Sequence, residues 1–97
     1  MMNFKWNIEK NKLLKKERDV CFEDVVTQIY EDKVLDIIKH PNAEKYPHQK
    51  IYIVILNNYV HIVPFVKENG EIFLKTIVPS RKMHKAYKGG QNENGSI

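Results

Sequence analysis

The chain of 97 residues has one cysteine, four glycines, four prolines and no run of eighteen apolar residues. A lone cysteine, Cys21, excludes an intramolecular disulfide and predicts a protein of the reducing cytoplasm, with the thiol either a buried apolar group or a nucleophile. Without a long apolar run or a signal-peptide pattern, the sequence predicts neither a membrane span nor secretion. Its length fits one domain, predicted over residues 1–90, and a disordered polar tail over residues 91–97.

Charge is distributed unevenly along the chain. Sixteen Lys and Arg residues against twelve Asp and Glu residues give a net charge of +4 and a pI near 9.2. Residues 81–90 carry four basic side chains and no acid, whereas residues 22–36 carry five acids and one Lys. The pattern predicts a dipolar surface with its basic end near the C-terminus, which permits an anionic partner.

Two helices are predicted in the N-terminal part. Residues 4–6 are either a short strand or an apolar anchor, and Asn7 can cap a first helix that runs to about Asp19. A second helix begins near Phe22, where apolar residues recur with the i, i+3, i+4, i+7 spacing of a core-facing helix. Cys21 stands at its cap position, so that cap should be weak.

A meander of strands is predicted to follow. The apolar segments predict strands over residues 34–38, 50–56, 59–67 and 72–78. Asn57 and Asn58 form a good two-residue turn, Gly70 closes a second hairpin, and Pro64 predicts a bulge or an edge. The order predicts an α+β domain, with helices on one face of a largely antiparallel sheet of about four strands and a short basic C-terminal helix.

That last helix breaks a local rule. Ser80 is a good N-cap, yet Arg81 and Lys82 occupy the first turn, where the positive end of the macrodipole normally favours acids. Lys85 and Lys88 add further positive charge. A phosphate would relieve this repulsion, so the start of the helix is a candidate functional site.

Several segments, in this order and spacing, resemble the BrnT-type toxins of bacterial type II toxin–antitoxin systems. They are Lys5-Trp6-Asn7, Glu9-Lys10-Asn11, Phe22-Glu23-Asp24-Val25, the strand meander, Pro79-Ser80-Arg81-Lys82 and Lys85-Ala86-Tyr87. The resemblance implies a RelE-like fold and ribonuclease activity that arrests translation. It also implies RNA as substrate and a cognate DNA-binding antitoxin as partner, with the ribosome as a further candidate.

Metal-independent RNA cleavage needs a base for the 2′-hydroxyl, stabilisation of the charged phosphorane and help for the leaving oxygen. Arg81 and Lys85, one turn apart, are the candidates for phosphate stabilisation, with a solvated basic face as the alternative. Ser80, Lys82 and Lys88 are candidate RNA-binding residues. No cofactor or metal is predicted, because no Cys pair or acid stands at ligand spacing from a histidine.

Four further residues are candidate catalytic groups, each with a structural alternative. Lys75 is predicted to share a strand face with Phe73 and Ile77, either as a base in a pocket or snorkelling to an edge. His84 is a general acid or base, or an exposed helix histidine. His61 is a catalytic group that could reach the face of Lys75, or a packed histidine. Tyr87 stacks on a base or donates a proton, or anchors the helix.

Two rival functions remain open from sequence. One is a non-catalytic RNA- or protein-binding member of the same fold, because the last helix carries Lys where many members of the resembling family carry Arg. The other is a DNA-binding repressor, for which no helix-turn-helix pattern is visible.

Overall fold

A computed structural model describes residues 3–89, with side chains to Tyr87; the predicted tail over residues 91–97 lies outside the described residues. The part that the structure describes is an α+β arrangement of three helices and a mixed six-stranded sheet, so the predicted class is confirmed. A π-helical turn, Lys85–Gly89, follows the last helix. The elements are β1 (Asn3–Lys5), α1 (Ile8–Arg18), α2 (Phe22–Tyr30), β2 (Asp36–Lys39), β3 (Gln49–Leu56), β4 (Tyr59–Glu68), β5 (Glu71–Leu74), β6 (Val78–Pro79) and α3 (Arg81–His84).

The sheet runs in the order β1-β5-β4-β3-β2, and β6 pairs with β4 beyond the end of β5. All pairs are antiparallel except β1 with β5, which is parallel. The prediction of about four strands missed two. The segment predicted over residues 72–78 is split into β5 and β6, and the N-terminal segment becomes a strand only because β5 lies beside it. No helix among the described residues is both long and apolar enough to cross a membrane.

One face of the sheet, the helical face, carries α1 and α2. Even-numbered β3 residues from Tyr52 to Leu56 point to this face, and Leu14 of α1 and Phe22 and Val25 of α2 pack there. Phe22 and Val25 are fully buried. Burying a side chain of this size stabilises the fold by roughly 1.5–3 kcal/mol, so α2 is held by this face.

The opposite face, the outer face, carries α3. Ile51, Ile53 and Val60 form a second buried cluster there, and Met83 and Tyr87 pack against it. The prediction that the helices lie on one face is therefore wrong for the C-terminal helix. The physical reason is that both faces of β3 are apolar, so each face requires a cover.

The ends of the two N-terminal helices follow their sequence signals. Asn7 Oδ1 accepts a hydrogen bond of 2.8 Å from the Lys10 N–H, and Asp19 ends α1 with a φ of 56°. The Cys21 side chain makes no cap hydrogen bond, as predicted. Asn11 on α1 supplies an acceptor instead, since its Oδ1 accepts from the Phe22 N–H at 2.8 Å. A side chain of α1 therefore caps the N-terminus of α2.

The predicted Asn turn joins β3 and β4. Asn57 and Asn58 have φ values of 53° and 61°, the left-handed pair of a type I′ turn. Asn57 Nδ2 also donates to the Asp19 carbonyl at 2.9 Å, which fastens the hairpin to the end of α1.

An extra residue separates β5 from β6 along β4. Phe65 faces Leu74 and Ile62 faces Val78, so two residues of β4 oppose three residues of the other segment. Pro64 lies at this junction, and its carbonyl accepts from the Lys75 N–H at 2.8 Å. The bulge predicted at Pro64 is thus found in the neighbouring segment, while β3 pairs with β4 without interruption.

This bulge corrects the predicted facing of Lys75. Ile77 is fully buried on the helical face, whereas Phe73 is 41% exposed and lies on the outer face. Lys75 lies with Phe73 alone, its Nζ 5.8 Å from the ring centroid. Strict alternation predicted a shared face for all three, and the extra residue breaks that alternation.

Candidate functional site

The start of α3 is fastened to β4 by its backbone. The Ser80 N–H donates to the Val60 carbonyl at 3.0 Å, and Ser80 Oγ accepts from the Met83 N–H at 3.2 Å. The predicted N-cap is confirmed. Because its hydroxyl is engaged in the helix, Ser80 positions the elements around it.

The basic residues of α3 face solvent. Arg81, Lys82 and Lys85 are exposed, and none of them forms an ion pair with another residue in the range 3–87. Arg81 and Lys85 are one helical turn apart, as the sequence predicted. The side chain of Lys88, a further candidate, lies outside the described part.

His84 is packed, so the expectation of an exposed helix histidine is wrong. Its Nδ1 accepts from the Val60 N–H at 3.2 Å, and its ring stacks on Tyr59 with 4.1 Å between centroids and 9° between planes. The physical reason is that the Ser80 contact brings the first turn of α3 against the start of β4. Since Nδ1 is an acceptor, the ring proton is on Nε2.

His61 is buried on the helical face, with 6% of its surface exposed. Its Nδ1 lies 2.8 Å from the Tyr59 carbonyl, an acceptor, so Nδ1 carries the proton and Nε2 the lone pair. Burial lowers the pKa of His61; the Tyr59 hydrogen bond opposes this with a smaller effect, and the Arg18 charge lowers the pKa by less still. His61 and Lys75 lie on opposite faces, so the expected approach between them is wrong; the bulge and the pleat separate them.

Tyr59 brings the two histidines to one place. His84 stacks on its ring, and the His61 ring meets it edge-on at 6.0 Å. No described residue is a hydrogen-bond partner of His61 Nε2, and no fully buried side-chain nitrogen in the described part lacks one. The Nε2 atom therefore lies in the small exposed part of the ring. In these tautomers His61 Nε2 carries a lone pair that can accept a proton, and His84 Nε2–H is a hydrogen-bond donor.

Sequence reasoning missed Tyr59 and Arg18. Tyr59 stands two residues before His61, and strand alternation places such residues on one face, so a signal was present. Arg18, the last residue of α1, comes near His61 because its guanidinium donates to the carbonyl of Ile77, the residue before β6, at 3.2 Å. No local pattern indicates that contact.

Two other predicted catalytic residues lie elsewhere. Tyr87 Oη donates to Asp36 Oδ2 at 2.9 Å; this hydrogen bond raises the pKa of Tyr87, and burial and the Asp36 charge raise it further. Tyr87 therefore anchors the end of the helix to β2. Lys75 lines an open depression with Lys5, Glu68 and Glu71 and is exposed, which fits the edge alternative and not the enclosed pocket.

Comparison of the chain with protein-family models, curated proteins and solved structures found no match. The candidate site is therefore defined by its geometry: the Tyr59, His61 and His84 cluster, with Arg81 one turn before His84.

Proposed function

We propose that this chain is the toxin of a type II toxin–antitoxin system, a metal-independent endoribonuclease with a RelE-like fold. The observation that carries the proposal is the pair of imidazoles on Tyr59 with opposite Nε2 protonation. In this mechanism His61 Nε2 accepts the 2′-hydroxyl proton, and His84 Nε2–H donates a hydrogen bond to a phosphorane oxygen. The 2′-oxygen forms the new bond to phosphorus as the bond to the 5′-oxygen breaks, and the 5′-oxygen takes its proton from water.

Arg81 supplies the charge in this mechanism. Its guanidinium remains protonated and has no acidic partner within residues 3–87, so it is available to a phosphate. Lys85 lies one turn further along and adds to the same field. Negative charge grows on the phosphorane oxygens in the transition state, so a fixed cation there favours cleavage more than binding.

A comparison of single-turnover cleavage with RNA affinity tests this proposal. Arg81→Ala should lower the cleavage rate by on the order of 10²–10³-fold, by analogy with removal of one oxyanion-hole donor, and should lower affinity far less. The matched control is Lys82→Ala in the same turn. It should reduce the affinity for RNA and the salt dependence of that affinity, and leave the rate at which bound RNA is cleaved unchanged. An unchanged rate in a folded Arg81→Ala protein would remove the assignment.

A non-catalytic RNA-binding role is the second candidate. It is favoured by the fact that Ser80 and Tyr87 use their hydroxyls in structural hydrogen bonds. In that case the purified chain binds RNA without cutting it, and Arg81→Ala weakens binding alone. The same two measurements separate the candidates.

The antitoxin is the proposed protein partner. Co-expression and pull-down with the product of the adjacent reading frame is the direct test. Association should be fast and weakened by salt if charge steers it. A clean failure to bind at low salt would argue against the toxin assignment.

A further inference from the structure

A groove lies on the helical face, at the end of the β3–β4 ladder away from the Asn turn. α1 and α2 cover only the turn end, where Asn57 bonds to Asp19 and Gln28 bonds to the Ile55 carbonyl. The groove encloses about 610 Å³. Its lining consists of Ile37, Pro47, His48, Lys50, Tyr52, Phe65, Lys67, Asn69, Gly70 and Ile72.

The walls of this groove are positively charged. Lys50 and Lys67 line it beside His48, and no acid is among the lining residues. Lys39 stands directly opposite Lys50 in the β2–β3 pair. Like charges directly opposite each other destabilise a sheet, and none of these three lysines has an ion-pair partner in the part of the chain described. An anionic occupant would relieve that repulsion.

The floor of the groove is apolar and its aromatic rings are already paired. Tyr52 and Phe65 stack with 4.0 Å between centroids and 16° between planes, and each is at most 5% exposed. Their faces are closed to a nucleic-acid base, which needs an open ring to stack on. Ile37 at the rim is 51% exposed, so the groove offers contacts to aliphatic side chains.

The rim strand also offers backbone groups. The His40 N–H donates to the Gln49 carbonyl, so antiparallel alternation turns the N–H groups of Ile37 and Lys39 away from β3. The Ile37 N–H donates a hydrogen bond to Asp36 Oδ1. Within residues 3–89 no strand pairs with this outer edge of β2. An extended segment can therefore bond to Lys39 while its side chains reach the groove.

We propose that this groove binds an extended segment of a partner protein in which every second residue is acidic or aliphatic, because residues two apart share one face of a strand. The acids meet Lys39, Lys50 and Lys67, and the aliphatic side chains rest on Ile37. Identification of the partner as the antitoxin rests on the proposed function, whereas the binding chemistry does not.

The test uses the full chain and a labelled peptide in which glutamate and valine take turns at every second position, with serine between them; binding is followed by fluorescence anisotropy. Binding should weaken as salt rises. The Lys50→Glu, Lys67→Glu double variant should lose about tenfold or more in affinity, since reversed rim charges repel the acids. The matched control reverses two exposed charges on α1, Lys12→Glu and Lys16→Glu, and should bind as the parent does.

Three results would overturn the proposal. The first is equal peptide binding by the parent and the double variant. The second is equally tight binding of a peptide that has lysine in place of glutamate. The third is displacement of the peptide by a short single-stranded RNA from the parent but not from the double variant. RNA cleavage by the same double variant is measured in parallel and should be unchanged. If the double variant loses peptide binding but still cleaves RNA, the result supports the groove proposal by itself. If the parent does not cleave RNA, the result contradicts only the proposed function.

Discussion

His61 is a titratable residue whose burial gives the fold a pH dependence. The pKa of the folded state lies below the ordinary value of 6.5, so on acidification the unfolded chain takes up a proton before the folded chain does. The contribution of His61 to stability is therefore fully present above pH 6.5 and is lost as pH falls towards the folded pKa.

The free energy of unfolding should accordingly fall as the pH is lowered through 6.5, measured by urea titration. His61→Gln should flatten that part of the curve. His48→Gln, at an exposed histidine, is the matched control and should retain the slope of the parent. Parallel curves for the parent and His61→Gln would show that the imidazole titrates alike in both states.

Cys21 occupies a cap position without performing the cap function. Its backbone is extended, with φ −147° and ψ 158°, and burial raises the pKa of its thiol, which disfavours the nucleophilic thiolate. The thiol is half-buried. It therefore fits a structural role better than the nucleophile that the sequence left open.

Cys21→Ser should raise the free energy of unfolding by up to ~1 kcal/mol, because a serine hydroxyl in this backbone conformation can accept from the first turn. Thermal melting measures the gain, and Cys21→Ala serves as the control that cannot cap. Lost RNA cleavage in a folded Cys21→Ser protein would instead identify the thiol as functional.

At the scale of elements, the two asparagines of the β3–β4 turn have different roles. Asn58 has a φ of 61°, and its side chain forms no hydrogen bond with another described residue, while Asn57 also bonds to Asp19. Asn58→Gly should therefore be neutral or stabilising, and Asn58→Ala should cost roughly 1–2 kcal/mol because Cβ is unfavourable in the left-handed region. Denaturant midpoints give the comparison. Equal stability of the two variants would mean that the turn changes its conformation.

Local signals accounted for most elements and failed where partners are distant. Asn7, the Asn turn and Ser80 were predicted correctly because each acts through neighbours within a few residues. The parallel partner of β1 was not predicted, since nothing near Phe4 specifies a strand that begins at Glu71. The predicted side of the sheet for Ile77 is wrong because one inserted residue inverts the side-chain alternation.

The candidate site was predicted in part for the same reason. Arg81 and Lys85 are helix neighbours, so their common face follows from spacing alone. The approach of His61 to His84 depends on how α3 docks beside Tyr59, which is a tertiary contact. Lys75 and Tyr87 were placed at the site by sequence, and packing placed them elsewhere.

At the scale of the whole molecule, two cationic regions lie at opposite ends of the β3–β4 ladder. If α3 alone contacts RNA, each phosphate contact removed should reduce the salt slope of binding by about 0.7 for a single strand. A triple variant, Arg81→Ala with Lys82→Ala and Lys85→Ala, should show a much shallower slope. Lys50→Glu with Lys67→Glu should keep the parental slope, and a shallower slope there would place RNA at the groove as well.

The parallel pairing of β1 with β5 has a consequence for the order in which the chain is completed during synthesis. Asn3 leaves the ribosome 68 residues before its partner Glu71, so β1 cannot pair until β5 has been made. Such long-range closure is slow compared with hairpin formation. Ser80 and Arg81 directly follow the segment that completes the sheet, so a nascent chain lacks its candidate site until these residues have emerged.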